Sequence, residues 1–224
     1  RLPDLEKFRK KHALVWCSIA QIISFRRKNE MLVSREQVVK MPTRFGIFDL
    51  YLYRSLLDGN EHVALVFGKV SGMNDVPVRV HSECLTGDVF HSMRCDCGDQ
   101  LETAMKMIVE MGRGVVVYMR QEGRGIGLAN KIHAYKLQEE GCDTVEANIR
   151  LGFPPDLREY GMGAQILMDL GIKSVKLITN NPQKIVGIDG YGLKIKGRIP
   201  IVTHAHEHNR KYLETKKKKM GHML

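Results

Sequence analysis

Three cysteines in the stretch RVHSECLTGDVFHSMRCDCGDQ, residues 79–100, have the types and spacing for metal chemistry. Cys84 lies upstream of a close pair, Cys95 and Cys97, so one loop can bring all three thiolates onto a single ion. Soft thiolates select zinc over magnesium or calcium. Three protein ligands leave a fourth position open to water, which marks a catalytic zinc, whereas four ligands close the site. With His81 or His91 as a fourth ligand the site would be structural. A disulfide across the Cys95–Cys97 pair is the weaker rival, because so short a ring is strained.

The elements that must position these thiols are legible around them. Val76, Val78 and Val80 alternate with Arg79, His81 and Glu83, so a strand buries one set and presents the other on a common face leading into Cys84. A solvent-facing edge strand would show the same alternation. After Cys97, Asp99 and Glu102 have capping-box spacing and Leu101, Met105, Ile108 and Val109 form a helical stripe. Gly112 ends that helix and GVVVYM (114–119) reads as a buried strand. GIFDLYLY and HVALVFGKV upstream are strand-like, and the order of strand, cysteine loop, helix and strand predicts an α/β fold, a central mixed sheet flanked by helices.

Other polar groups punctuate the rest of the chain. Gly123, Gly125 and Gly127 precede a helix in RQEGRGIGLANKIHAYKLQEEG (120–141), where they let backbone amides approach an anion while Arg124 adds charge. Their spacing is neither a Rossmann nor a Walker pattern. Glu122 would repel phosphate, so it suits a hydrogen-bond donor or a metal ion unless it is an exposed turn carboxylate. Leu128, Ile132 and Tyr135 share one helical face and read as core, while Cys142 reads as a buried or idle thiol. Pro154 and Pro155 stiffen a loop offering Asp156, Arg158, Glu159 and Tyr160, by composition a polar turn and helix start. The turn TNNPQK (179–184) carries Thr179 and Lys184, IKGRIPIV reads as a strand with Pro200 near an edge, and HAHEH adds His204, His206 and His208 as further candidate metal ligands.

Composition bounds the partners. The 224 residues are 43% hydrophobic, enough for a real core. Thirty-five basic against 25 acidic side chains give +10, which points to an anionic partner; a nucleotide triphosphate, RNA and a membrane surface all fit the sign. The runs RKK (9–11), FRRK (25–28) and KKKK (216–219) read as solvated faces. No apolar run approaches a membrane span and no signal-peptide pattern opens the chain, although a start at Arg1 leaves room for an upstream segment or targeting peptide. Five cysteines, odd in number and mostly clustered, suggest a reducing compartment with metal-bound thiolates. Residues 1–40 read as helical, with a capping box at Ser18 and Gln21 before Ile19, Ile22 and Ile23, and Arg26, Arg27 and Lys28 at the helix end. Pro42 and Gly46 mark a boundary near residue 40.

The motifs SECLTGD, RCDCG, QEGRGIGL, DTVEAN and TNNPxK, spread over about residues 42–224, together resemble GTP cyclohydrolase II, the zinc enzyme that opens the guanine of GTP at the start of riboflavin synthesis. The run DLEKFRKKH…SIAQIISFRRK is similar to the last segment of dihydroxybutanone phosphate synthase, which in plants and many bacteria is fused upstream of the cyclohydrolase. The likeness makes residues 1–40 a helical tail or linker of an upstream synthase domain and 41–224 the cyclohydrolase domain.

The resemblance also assigns residues. It implies zinc on Cys84, Cys95 and Cys97; triphosphate and Mg²⁺ along Arg79, Val80, His81, Ser82 and Glu83; and nucleotide contacts at Gln100, Glu122, Gly123, Arg124, Thr144, Thr179 and Lys184. Glu122 is expected to accept from the guanine N1 and 2-amino group, because a buried polar site matched to that edge rejects adenine. C8 of guanine is a carbon at the formyl oxidation level, so opening the ring needs a strong nucleophile. Three thiolates weaken zinc as a Lewis acid, and outside help is expected from Asp156, as general base, and Tyr135, as donor to the opening imidazole. Arg158 is assigned to the α-phosphate; a guanidinium stays protonated and has no free lone pair, which favours a charge clamp over a covalent nucleophile. Formate and pyrophosphate would be released. A homodimer acting on GTP is implied, with no nucleic-acid or membrane partner, soluble in the bacterial cytoplasm or the plant plastid stroma. The alternatives are a zinc-containing nucleotide or RNA-binding module and a degenerate partner domain. An aromatic content of 7% without basic-aromatic interleaving argues against RNA, and intact Asp156, Arg158 and cysteines argue against degeneracy.

Overall fold

The computed structural model describes residues 2–158, 160–189 and 192–223, which fall into two compact units, Arg1–Met31 and Leu32–Leu224. In the first unit, α1 (Leu2–Lys11) and α2 (Ile19–Asn29) follow the helical pattern. Ser18 caps α2 with its hydroxyl accepting from Gln21 N at 3.1 Å, while the Gln21 side chain accepts from Ser18 N at 2.7 Å. Arg26 closes an ion pair with Glu30 at 2.9 Å; the side chains of Arg27 and Lys28, expected at the same helix end, lie outside the described set.

The helical reading does not extend to residue 40. Val33–Thr43 forms β1, paired antiparallel with β2 (Gly46–Ser55) through a turn in which Thr43 Oγ1 accepts from Phe45 N and Gly46 N. β-Branched Val33, Val38 and Val39 suit the strand, and Pro42 is tolerated because β1 is an edge. β3 (Glu61–Phe67), β4 (Val76–Ser82), β5 (Gly114–Met119), β6 (Ser174–Ile178) and β7 (Lys194–Ile199) complete one mixed sheet in the order β1-β2-β3-β5-β4-β6-β7. The pairs from β1 to β5 are antiparallel, and those joining β5, β4, β6 and β7 are parallel.

Helices cover both faces, as a sheet with an interior parallel part requires. On one face Val78, Val80, Val115 and Val117 pack with Ala164, Ile166 and Leu167 of α7 (Gly161–Asp169). On the other, Val116 packs with Phe48, Ile178 and with Ala104 and Ile108 of α4 (Cys97–Glu110). β4 is therefore no solvent-facing edge. It lies between β5 and β6, and Arg79 and His81, which alternate with its valines, are only 4% and 2% exposed. The expected Asp99–Glu102 capping box is absent: α4 starts two residues earlier, and Glu102 pairs with Arg44. No helix among the described residues is long and apolar enough to cross a membrane.

One buried group links this fold to pH. His62 on β3 is 5% exposed and its Nδ1 accepts from Arg120 N at 3.2 Å. Burial, aided by Arg120 and opposed by Asp58, pushes its pKa down. Below the ordinary histidine value of about 6.5 the unfolded chain therefore binds a proton that the native state refuses, and stability falls as pH falls. The urea midpoint is expected to drop between about pH 7 and pH 5, with a smaller drop in His62→Gln.

Candidate functional site

Three parallel strands end on the same side of the sheet, and their C-terminal exits build the site, the usual crevice of an open α/β sheet. β4 runs into Cys84 and the short helix α3 (Leu85–Asp88), β5 into the glycine turn at Glu122–Gly125, and β6 into Thr179. Cys84, Cys95 and Cys97 converge there, with their sulfurs within 4.8 Å of one another and Cys84 Sγ 3.8 Å from Cys95 Sγ. A tetrahedral zinc with sulfurs at about 2.3 Å sets them about 3.8 Å apart, so the donor set fits that ion. Neither expected histidine joins them: His81 Nε2 is held by Asp88 at 3.0 Å, and His91 is exposed. Among the described residues no other group of three ligands, the 204–208 histidines included, gathers for a metal.

Glycine makes the cluster possible. A Cβ on Gly87 would stand 2.9 Å from Cys95 Sγ and 3.2 Å from Cys84 Sγ. Gly87→Ala is expected to weaken zinc binding about tenfold or more, measured as competition with a chromophoric chelator. The thiols share a favoured negative charge. Hydrogen bonding from Cys95 and Cys97, then the Lys131 ammonium, holds the Cys84 thiol far below the ordinary range, whereas bonding to Cys84 pushes Cys95 up to about 11 and Cys97 well up. Lys131 Nζ lies 3.2 Å from Cys84 Sγ and 2.8 Å from Glu122 Oε1. Burial opposes its charge, but Glu122 and Cys84 outweigh burial and raise its pKa.

Glu122 is turned inward. Its Oε1 accepts from Gly123 N at 2.7 Å and from Lys131, and its Oε2 from Leu85 N at 2.6 Å. Held in this way the carboxylate braces the glycine turn, α3 and Lys131, while Oε2, accepting one hydrogen bond among the described residues, keeps a lone pair for a donor in the pocket that Glu122 lines. Glu122→Gln is accordingly expected to weaken metal binding about tenfold, measured as competition with a chromophoric chelator. Asp88 braces the other side, accepting from Cys84 N at 2.9 Å, Tyr118 OH at 2.8 Å and His81. Burial pushes the His81 pKa down, so the ring is neutral and donates through Nε2.

Tyr135 faces the cluster rather than the core. Its OH lies 3.2 Å from Thr86 Oγ1, and burial raises its pKa, so it keeps its proton. Leu128 and Ile132 stay 40% and 49% exposed, because α5 (Gly127–Glu139) buries Lys131 and Ala134 instead. Cys142 is buried beside Ala134 and Ala147.

A second, cationic pocket adjoins the first, sharing Ser82, Cys97, Arg124, Arg158 and Tyr212 with it. Glu83, Glu122, Gly123 and Thr144 line the thiol side; Arg79, His81, Gln100, Thr179 and Lys184 line the cationic side. Arg79 donates to Ile178 O at 3.0 Å and to Gln100 Oε1 at 2.5 Å, and Lys184 donates to Val80 O at 2.8 Å. Burial, then the charges of Arg79 and Arg158, pushes Lys184 well below its ordinary value. Val80 offers that carbonyl but packs its side chain in the core, off the pocket wall.

Asp156 also lies off the wall. It grips Arg158 through Nε at 2.9 Å and Nη2 at 2.5 Å. Burial opposes its ionisation, but Arg158 more than offsets that and lowers its pKa, so acting as a base requires these bonds to open first. Glu159, named with this loop, lies outside the described residues, and Tyr160 is buried in the core. Sequence patterns passed over Lys131, whose one signal is its place one helical turn before Tyr135, and Asp96, the central residue of the cysteine pair. Asp96 is fully buried and bonds Gln100 at 2.6 Å and Lys216 at 2.5 Å.

The sequence model of the family described as GTP cyclohydrolase II matches residues 34–200. Riboflavin biosynthesis protein RibBA of Bacillus subtilis (strain 168) is 58% identical over 225 residues, covering 100% of this chain and 56% of that protein. RibBA of Endomicrobium trichonymphae is 57% identical over 224 residues with 100% and 56% covered. The probable bifunctional riboflavin biosynthesis protein RIBA 2, chloroplastic, of Oryza sativa subsp. japonica is 58% identical over 100% of this chain and 40% of that protein. This chain thus spans little more than half the length of these bacterial relatives. Among solved structures, RibBX, a two-domain 3,4-dihydroxy-2-butanone 4-phosphate synthase from A. baumannii, superposes with a TM-score of 0.53 at 27% identity, covering 89% of this chain and 49% of that one. A match over residues 34–200 takes in the thiol cluster, the glycine turn and the 179–184 turn, and on that ground the chain belongs to the GTP cyclohydrolase II family.

Proposed function

We propose that this site hydrolyses GTP, opening the imidazole ring at C8 and releasing formate and pyrophosphate. The observation that carries the reading is the shared wall between a three-sulfur cluster and a pocket lined by Arg79, Arg124, Arg158 and Lys184. A purine nucleotide placed along it sets its base at the sulfurs and its phosphates among the cations. Cys84, Cys95 and Cys97 would hold zinc, which when bound supplies Lewis-acid activation of water near neutral pH.

The remaining work falls to the chain itself. Tyr135, protonated, donates to a ring nitrogen as the imidazole opens. Arg158 clamps the α-phosphate; a phosphate that draws the guanidinium away from Asp156 frees the carboxylate to accept a proton. Glu83, a partly exposed carboxylate on the wall, offers an oxygen ligand for Mg²⁺ carried in with the triphosphate. Residues 2–31 are the tail of an upstream synthase domain in this reading, which the bifunctional name of the rice relative supports. Pairing of two copies belongs to the same reading and is tested by sedimentation.

The deciding experiment measures formate released from GTP by the zinc-loaded protein, with and without a chelator. Chelator-sensitive formate is the expected result. GTP bound without formate would replace this reading with that of a nucleotide-binding module.

A further inference from the structure

The family match ends at residue 200, yet part of the cationic pocket is built from beyond it. α8 (Arg210–Met220) and the residues after it bring Tyr212, Lys216 and His222 to the pocket wall. In sequence, Lys216 opens a run of four lysines that looks solvated. Tyr212 and Lys216 are one helical turn apart, however, and both face inward.

The segment is fastened in place. Lys216 is 7% exposed, with Nζ 2.5 Å from Asp96 Oδ1 and 4.4 Å from the Tyr212 ring centre. Met223 N donates to Asn180 O at 2.9 Å, and His222 N to Lys216 O at 3.1 Å. Lys219 pairs with Asp143 and with Glu146, at the start of helix α6 (Thr144–Arg150).

His222 Nε2 is nevertheless buried without a hydrogen-bond partner. Arg79 Nε, Asn181 Nδ2 and His81 Nδ1, in residues lining the same pocket, are buried and partnerless too. Native proteins leave few such atoms; of these four, Arg79 Nε and Asn181 Nδ2 are N–H donors and His222 Nε2 can be one, and together they call for an acceptor. Burial, followed by the charges of Lys216, Arg158, Lys184 and Arg124, pushes the His222 pKa down to about 3. So many cations bearing on one site call for an acceptor that carries several negative charges.

We propose that the 210–223 segment is a polyphosphate clamp, in which His222 and Lys216 contact the phosphate chain of the substrate. The proposal deepens the reading of the site as one for GTP, and rests on it. Neither residue touches the base end, so their contribution is to binding the phosphates and not to opening the ring.

The test uses the zinc-loaded protein, formate release from GTP, and inorganic tripolyphosphate as a competing probe. His222→Ala and Lys216→Met are expected to raise KM for GTP and Ki for tripolyphosphate about tenfold each, with kcat within about threefold of wild type. His222→Gln, which keeps a donor near Nε2, should recover most of the loss, and zinc content and Tm should stay at wild-type values in both His222 variants, whereas Lys216→Met, which leaves Asp96 buried without its cation, should also lower Tm. An unchanged Ki in His222→Ala would overturn the clamp. An equal rise in Ki for guanosine, which has no phosphate, would overturn it as well, since the segment would then only shore up the wall. If the wild type releases no formate, the ring-opening reading fails by itself; the clamp is then judged by calorimetric Kd values for tripolyphosphate, with the same tenfold difference expected.

Discussion

Cys84→Ser is expected to strip the protein of zinc and to lower formate release from GTP by more than about a thousandfold. Serine nearly preserves shape, so the loss is chemical: a neutral hydroxyl replaces the thiolate on which the cluster places its charge. Damage extends past the metal, because Lys131 sits 3.2 Å from that sulfur and loses one of its two anionic partners. The burden on Glu122 then grows, and the turn that Glu122 braces should loosen. Zinc per chain, Tm and formate release measured together separate these effects. A zinc-free variant with wild-type turnover would sink the assignment of the three cysteines.

The second large effect concerns Arg158. Arg158→Ala is expected to lower kcat/KM by about a thousandfold, since it removes from the pocket a guanidinium that Asp156 holds at Nε and Nη2 and leaves Asp156 buried without its cation. Arg158→Lys restores the charge but not the planar fork that Asp156 grips, and should regain activity to within about ten- to a hundredfold of wild type. Pyrophosphate release is the informative readout for the lysine variant. Release at a measurable fraction of the wild-type rate identifies a charge clamp, whereas complete loss with GTP binding intact would point to a covalent role for the guanidinium. Asp156→Asn adds a check on the base: if the carboxylate takes a proton only after Arg158 lets go, the acid limb of the kcat profile disappears in this variant while KM rises modestly.

Much of this site can be read along the chain because its parts are local. The spacing of Cys84, Cys95 and Cys97 already allows one ion, the alternation of Val76, Val78 and Val80 with Arg79 and His81 already sorts core from site, and the glycines after Met119 already mark a turn before a helix. Spacing does not say which way a polar side chain turns. Spacing names no partner for Glu122, and the structure engages both of its oxygens with Leu85, Gly123 and Lys131. Residues 33–40 looked helical by continuity with the segment before them, and pairing with β2 made them a strand.

By itself the sequence determined the ligand types, the mixed α/β class and the surplus of positive charge that calls for an anion. Tertiary structure alone decided the partners of the charged groups. Lys216 meets Asp96 across 120 positions of chain, and Lys184 meets the Val80 carbonyl across 104. Contacts at such separations depend on the order in which strands join the sheet and on which helix covers which face, and periodicity within a short window carries no information about either.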